Sequence, residues 1–113
     1  MKAIEEYELH LLLEQREKTH FVFISTPLCG TCKLAAKMLT VMEASIPNLS
    51  IFELNVNQAK SFAQTWRIHS VPALLVFRKG LGVERIYAFH SVSYLYDILT
   101  PYVSLGGLHK SNE

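Results

Sequence analysis

Residues 20–47 read HFVFISTPLCGTCKLAAKMLTVMEASIP. The opening HFVFIST, residues 20–26, is short, mostly apolar and rich in β-formers, the pattern of a buried strand. From residue 30 the period changes. Leu34, Met38, Leu39, Met42 and Ile46 fall at helical spacing over residues 30–46, and Pro47 stops the helix. Cys29 and Cys32 sit at the junction, with Gly30 and Thr31 between them. The chain has 2 cysteines, and both lie at this strand-to-helix turn.

The flanks supply the rest of the sheet. Residues 4–18 place Ile4, Tyr7, Leu11 and Leu12 on one helical face with charges opposite. SIFELNV at 50–56 alternates as a strand, and residues 58–66 form a short helix. ALLVF at 73–77 is a buried strand opening just after Pro72. Lys79–Gly80–Leu81–Gly82 makes a turn, and residues 83–89 return as a hairpin strand. Residues 92–103 place Val92, Leu95, Leu99, Tyr102 and Val103 on one face of a last helix, which Pro101 is expected to kink or shorten. The order is α-β-α-β-α-β-β-α. Strands separated by helices pair in parallel, while a short turn makes an antiparallel hairpin. The expectation is an α/β domain with a mixed central sheet of four or five strands, flanked by helices on both faces. It spans residues 1–105, and the Gly-containing, polar stretch 106–113 is expected to be a loose tail.

Composition narrows the function. At 113 residues the chain is one domain, and 50% hydrophobic with 19% charged residues is ordinary for a globular protein. A net charge of +1 without runs of one sign gives no nucleic-acid or membrane surface. In MKAIEEYELH acidic residues arrive at Glu5, Glu6 and Glu8, and the apolar run Leu11–Leu13 that follows is too short for a secretory signal, so a cytoplasmic protein is expected. A monomer is the expected state.

C-x-x-C near a βαβ pattern in an intracellular chain is a redox signature. Cys29 would stand at the helix N-terminus, where unpaired N–H groups and the helix dipole stabilise a thiolate. That makes Cys29 the expected nucleophile. Cys32, one turn further in, would attack the mixed disulfide and release the reduced product. Lys33 adds positive charge nearby. Structural zinc wants four ligands, and one C-x-x-C supplies two. His10, His20, His69, His90 and His109 show no metal-ligand spacing, so no metal is expected; a bridged dimer holding a metal or cluster is the lesser alternative.

The chain resembles the thioredoxin-like family over nearly its whole length. The segments that carry the resemblance are C-G-T-C-K at 29–33, ELNVNQAKSFAQTWRI at 53–68 and RIHSVPALLVFRKG at 67–80. The resemblance implies a thioredoxin-like fold and thiol–disulfide exchange. Disulfide-containing proteins or small thiols would be the substrates, and electrons would come from a reductase or a low-molecular-weight thiol. No cofactor is implied beyond the redox-active Cys29–Cys32 disulfide. Pro72 matches the family's cis-proline, and Val71 before it would offer backbone groups to an extended substrate.

The departures are specific. Leu28 and Ser25 stand where the family usually has tryptophans. Phe23 stands where it has a buried aspartate on the central strand, so the obvious general base for Cys32 is missing. Thr31 replaces the usual proline, and its N–H and hydroxyl are expected to reach Cys29 and stabilise the reduced form. These losses motivate an alternative, a redox-sensing or binding module with low turnover. Trp66 is expected to pack in the core or at its rim, His69 to be a surface residue, and Tyr94, Tyr96 and Tyr102 to be partly buried.

Overall fold

The computed structural model describes residues 1–107, and side chains through residue 103. The strands are β1 (Lys2–Ala3), β2 (Thr19–Ser25), β3 (Ile51–Asn55), β4 (Ala73–Arg78) and β5 (Leu81–Ile86). The helices are α1 (Glu6–Leu13), α2 (Gly30–Ser45), α3 (Lys60–Thr65) and α4 (Val92–Gly107), with a 3-10 turn at Val56–Gln58. The sheet has five strands in the order β1-β3-β2-β4-β5. β2 pairs in parallel with β3 and antiparallel with β4, and β1 pairs in parallel with β3. The mixed five-stranded sheet is as expected, but β4, although a helix separates it from β3, runs antiparallel to β2 where helix-separated strands are expected to be parallel.

The central strand explains the two cores. Successive side chains on a strand point to opposite faces. Phe21 and Phe23 join a cluster with Ala35, Leu39 and Met42 of α2 and with Leu95 and Leu99 of α4. Val22 and Ile24 join a second cluster with Leu9 of α1 and Phe62 of α3. β4 divides the same way, with Leu74 and Val76 on one side and Ala73, Leu75 and Phe77 on the other. A strand apolar on both faces is thus the middle layer of a three-layer domain.

Several expectations need correction. The first helix is only Glu6–Leu13, preceded by the two-residue strand β1. Its buried residue is Leu9, while Tyr7 and Leu11 are exposed, because the helix rests on the sheet through Leu9, Leu12 and Leu13. On α2 the inward stripe is Cys32, Ala35, Leu39 and Met42; Leu34 is 57% exposed. The second hairpin strand is 81–86 rather than 83–89, because the turn is only Lys79–Gly80. Both turn residues have positive φ, 56° and 79°, as a tight two-residue hairpin requires. Pro101 lies inside α4 without ending it. Tyr94 and Tyr96 are exposed, and Tyr102 alone of the three is partly buried, its hydroxyl donating to Glu84 Oε1 at 2.8 Å. Burial first, then the hydrogen bond and charge of Glu84, push the Tyr102 phenol above its usual value, with Arg78 pulling the other way. Residues 106 and 107 are the last of α4, and the remainder of the expected tail, 108–113, lies outside the described residues.

Candidate active site

β2 ends at Ser25, and the chain crosses Thr26, Pro27 and Leu28 to enter α2 at Cys29. Cys29 is the N-cap residue, extended at φ −124° and ψ 110°. The first amides of a helix have no partner within it. Here the Cys32 N–H donates to Cys29 Sγ at 3.1 Å, so a sulfur does the work that a serine or aspartate oxygen does at other helix starts. The Thr31 hydroxyl lies 3.4 Å from the same sulfur. Of the two Thr31 groups expected at Cys29, the hydroxyl is in place, while the backbone donor is that of Cys32. Lys33 N–H donates to the Cys29 carbonyl at 3.2 Å and closes the first turn.

Cys29 and Cys32 are joined as a disulfide, with Cα atoms 5.1 Å apart. Their environments differ. Cys32 is buried against the sheet, while Cys29 is half-buried and its neighbour Leu28 is 97% exposed. Gly30 is exposed, and a Cβ there would meet nothing within 4 Å. The outer sulfur is thus the approachable one.

The Val71–Pro72 peptide bond is cis. Pro72 shares a groove of about 310 Å³ with Thr31, Leu34, Met38, Tyr87 and His90, so the loop before β4 and the first turns of α2 face one space. Val71 is half-buried and packs on the α1–α3 side of the core. Lys33 points elsewhere, to a larger cavity of about 890 Å³ that it shares with Cys32, Ser25 and Glu53. Tyr87 on the groove and Glu53 in the cavity carry no signal in the sequence, while Ser25 stands out there only as a departure from a family tryptophan and His90 only as a histidine without metal-ligand spacing. Phe89 also lines the groove and lies beyond the end of β5, in the stretch 83–89 expected to be a strand. Nothing in local periodicity marks residues brought in by a hairpin or a neighbouring strand.

Phe23 is fully buried and meets Phe89 edge-on at 6.0 Å between ring centroids. Trp66 packs at the core rim, 4.9 Å from Phe77 and perpendicular to it. His69 is exposed, its N–H reaching the Tyr87 hydroxyl at 3.4 Å. Among the described residues no group of three or more His, Cys, Asp or Glu stands where it could hold a metal ion. No helix among them is long and apolar enough to cross a membrane.

Comparison with known proteins gives the same answer from another side. The family model described as Thioredoxin matches residues 2–100. The thioredoxin-like protein YusE of Bacillus subtilis (strain 168) is 44% identical over 99 residues, 88% of this chain and 91% of that protein. A thioredoxin of Chlamydia pneumoniae is 25% identical over 71 residues, 63% of this chain and 70% of that protein. Among solved structures, thioredoxin NaTrxh from Nicotiana alata superposes with a TM-score of 0.79 at 19% identity, covering 90% of this chain and 91% of that one. That likeness shows the fold. Thioredoxins exchange disulfides with protein partners, draw electrons from a reductase and work without cofactors. Together with the Cys29–Cys32 pair, these matches give the protein a thiol–disulfide redox role, and the chain belongs to the thioredoxin family.

Proposed function

We propose that this protein is a thiol–disulfide oxidoreductase that passes two electrons between its Cys29/Cys32 dithiol and protein or small-molecule disulfides. The observation that carries this reading is the pair of sulfurs at the α2 N-terminus, with the inner amide donating to the outer, accessible sulfur. In the reduced protein that amide, the Thr31 hydroxyl and the helix dipole all favour a Cys29 thiolate. The thiolate attacks a substrate disulfide, one substrate thiolate leaves, and a mixed disulfide forms. Cys32 then loses its proton, its sulfur attacks Cys29 Sγ, and the second substrate thiolate leaves. The substrate gains two electrons, and the protein holds the Cys29–Cys32 disulfide. A reductase or low-molecular-weight thiol returns the electrons.

Val71 and Pro72 form the ledge on which an extended substrate segment rests, and the apolar groove beside Pro72 takes its side chains. Gly30 leaves the approach to Cys29 open, Thr31 steadies the thiolate, and Lys33 adds positive charge near the first turn. The cytoplasm, whose thiol systems keep such a pair reduced, is the compartment this cycle suits, with the protein acting as a monomer.

The test is a titration of the pair against glutathione and dithiothreitol buffers, with Cys29 alkylation followed against pH. A reversible two-electron couple and a Cys29 pKa clearly below the free value of about 8.5 are expected. An unshifted thiol, or a pair that does not close, would sink the oxidoreductase reading. A binding module that keeps the fold without turning over would then take its place, a reading favoured by the apolar Phe23 at the position where the family usually carries an acid.

A further inference from the structure

The cycle proposed above requires Cys32 to give up a proton inside the protein, and Phe23 on β2 offers no group to take it. Phe23 is paired in register with Glu53 on β3, so both side chains leave the sheet on the face that α2 covers. Ser25, also on this face and itself buried, donates its hydroxyl to Glu53 Oε2 at 3.2 Å. Glu53, Ser25 and Cys32 line the one cavity of about 890 Å³. The cavity is open to solvent and lined in part by polar groups, so it admits water, which relays protons between groups that do not touch.

The other acids on the wall are differently engaged. Glu6 Oε2 accepts the Phe62 N–H at 2.6 Å, and Glu8 Oε1 accepts the Glu5 N–H at 2.9 Å. Glu5 is exposed at the start of α1. Glu53 is the carboxylate held against the sheet by a buried hydroxyl. The charged and titratable groups facing the cavity besides Cys32 and Glu53 are Lys33 from α2 and Glu5, Glu6, Tyr7 and Glu8 from α1 and its cap.

We propose that Glu53 is the proton acceptor for Cys32, acting through cavity water and oriented by Ser25. This rests on the oxidoreductase reading above. As Cys32 Sγ attacks Cys29 Sγ, its proton passes through water to the Glu53 carboxylate, and the Cys29–substrate sulfur bond breaks. The departing thiolate takes a proton from solvent, and Glu53 returns its own to solvent. A carboxylate ordinarily holds a proton about four pH units less tightly than a thiol, so the proton moves during the attack rather than before it. Glu53 is thus a relay residue and touches neither sulfur.

The experiment mixes the reduced protein with 5,5′-dithiobis(2-nitrobenzoate). Attack by Cys29 releases one coloured thiol, in a phase that depends on reagent concentration. Attack by Cys32 releases a second, in a phase that does not. Glu53→Gln is expected to slow the second phase roughly tenfold near pH 7, below the usual hundredfold or more of a directly placed acid–base group because water intervenes. The deficit should shrink as pH rises and hydroxide takes the proton. The first phase should be unchanged, Glu53→Asp should recover part of the rate, and Ser25→Ala should slow only the second phase. Urea midpoints confirm that each variant is folded. A second phase in Glu53→Gln equal to wild type at every pH, or slowed equally at every pH, overturns this proposal alone. A wild-type protein with no second phase overturns the oxidoreductase reading and the relay with it.

Discussion

Replacing Phe23 with aspartate puts a carboxyl where most of the family carries one, and here it should break the protein rather than speed it. Phe23 has no solvent exposure and packs edge-on against Phe89 within the α2–α4 core. Truncating a buried phenylalanine costs about 3–5 kcal/mol. Keeping the new carboxyl uncharged near pH 7 adds about 1.4 kcal/mol for each unit by which burial raises its pKa, and shifts for fully buried acids reach roughly 3 units or more. The total is about 7 kcal/mol or more, against a whole-domain stability of about 5–15 kcal/mol. The sign with pH is fixed. A raised carboxyl pKa means the folded state binds more protons than the unfolded one, so stability falls as pH rises from about 4 through the folded value. Urea unfolding of Phe23→Asp and of a Phe23→Leu control, each at about pH 4 and pH 7 beside wild type, reads this directly. The control should lose only about 1–2 kcal/mol, with little pH dependence. An aspartate variant as stable at pH 7 as the leucine control, or a deficit independent of pH, would refute the reasoning that this strand position is closed to a charge.

Two further outcomes follow from single contacts. Glu6→Ala should cost about 2 kcal/mol in urea unfolding, because it strips a charged acceptor 2.6 Å from the Phe62 N–H and unties α1 from α3. Tyr102→Phe should cost about 1 kcal/mol by losing the bond to Glu84. With the phenol pKa raised in the folded state, that contribution is complete below the unfolded value of about 10 and lost as pH climbs through the folded one, so variant and wild type should converge in alkali.

Much of the architecture was legible in the chain because burial on two faces leaves a plain mark. FVFI at 21–24 and ALLVF at 73–77 are unbroken apolar runs buried on both faces, and both belong to central strands. The cysteine pair was legible because its spacing coincides with a change of period. What escaped has physical reasons too. β1 is two exposed residues held by pairing to β3, too short to show any alternation. Tyr7 and Leu11 look like a helix face, yet the short helix seats Leu9 instead. Glu53 passed for an ordinary polar position in an alternating strand. Its neighbours Ser25 and Cys32 come from segments more than twenty residues away, and only the sheet register brings them together.

The position of β2 also bears on how the chain is made. Its two hydrogen-bonded neighbours, β3 and β4, both follow it in the chain. A ribosome therefore releases this strand before either partner, and its second partner follows some fifty residues later, roughly 3–10 s at ordinary rates of synthesis. For that interval one side of HFVFIS is an open edge, free to pair with any other unfinished strand. Growth temperature and translation speed, rather than the stability of the finished domain, should then set how much of this protein is recovered soluble.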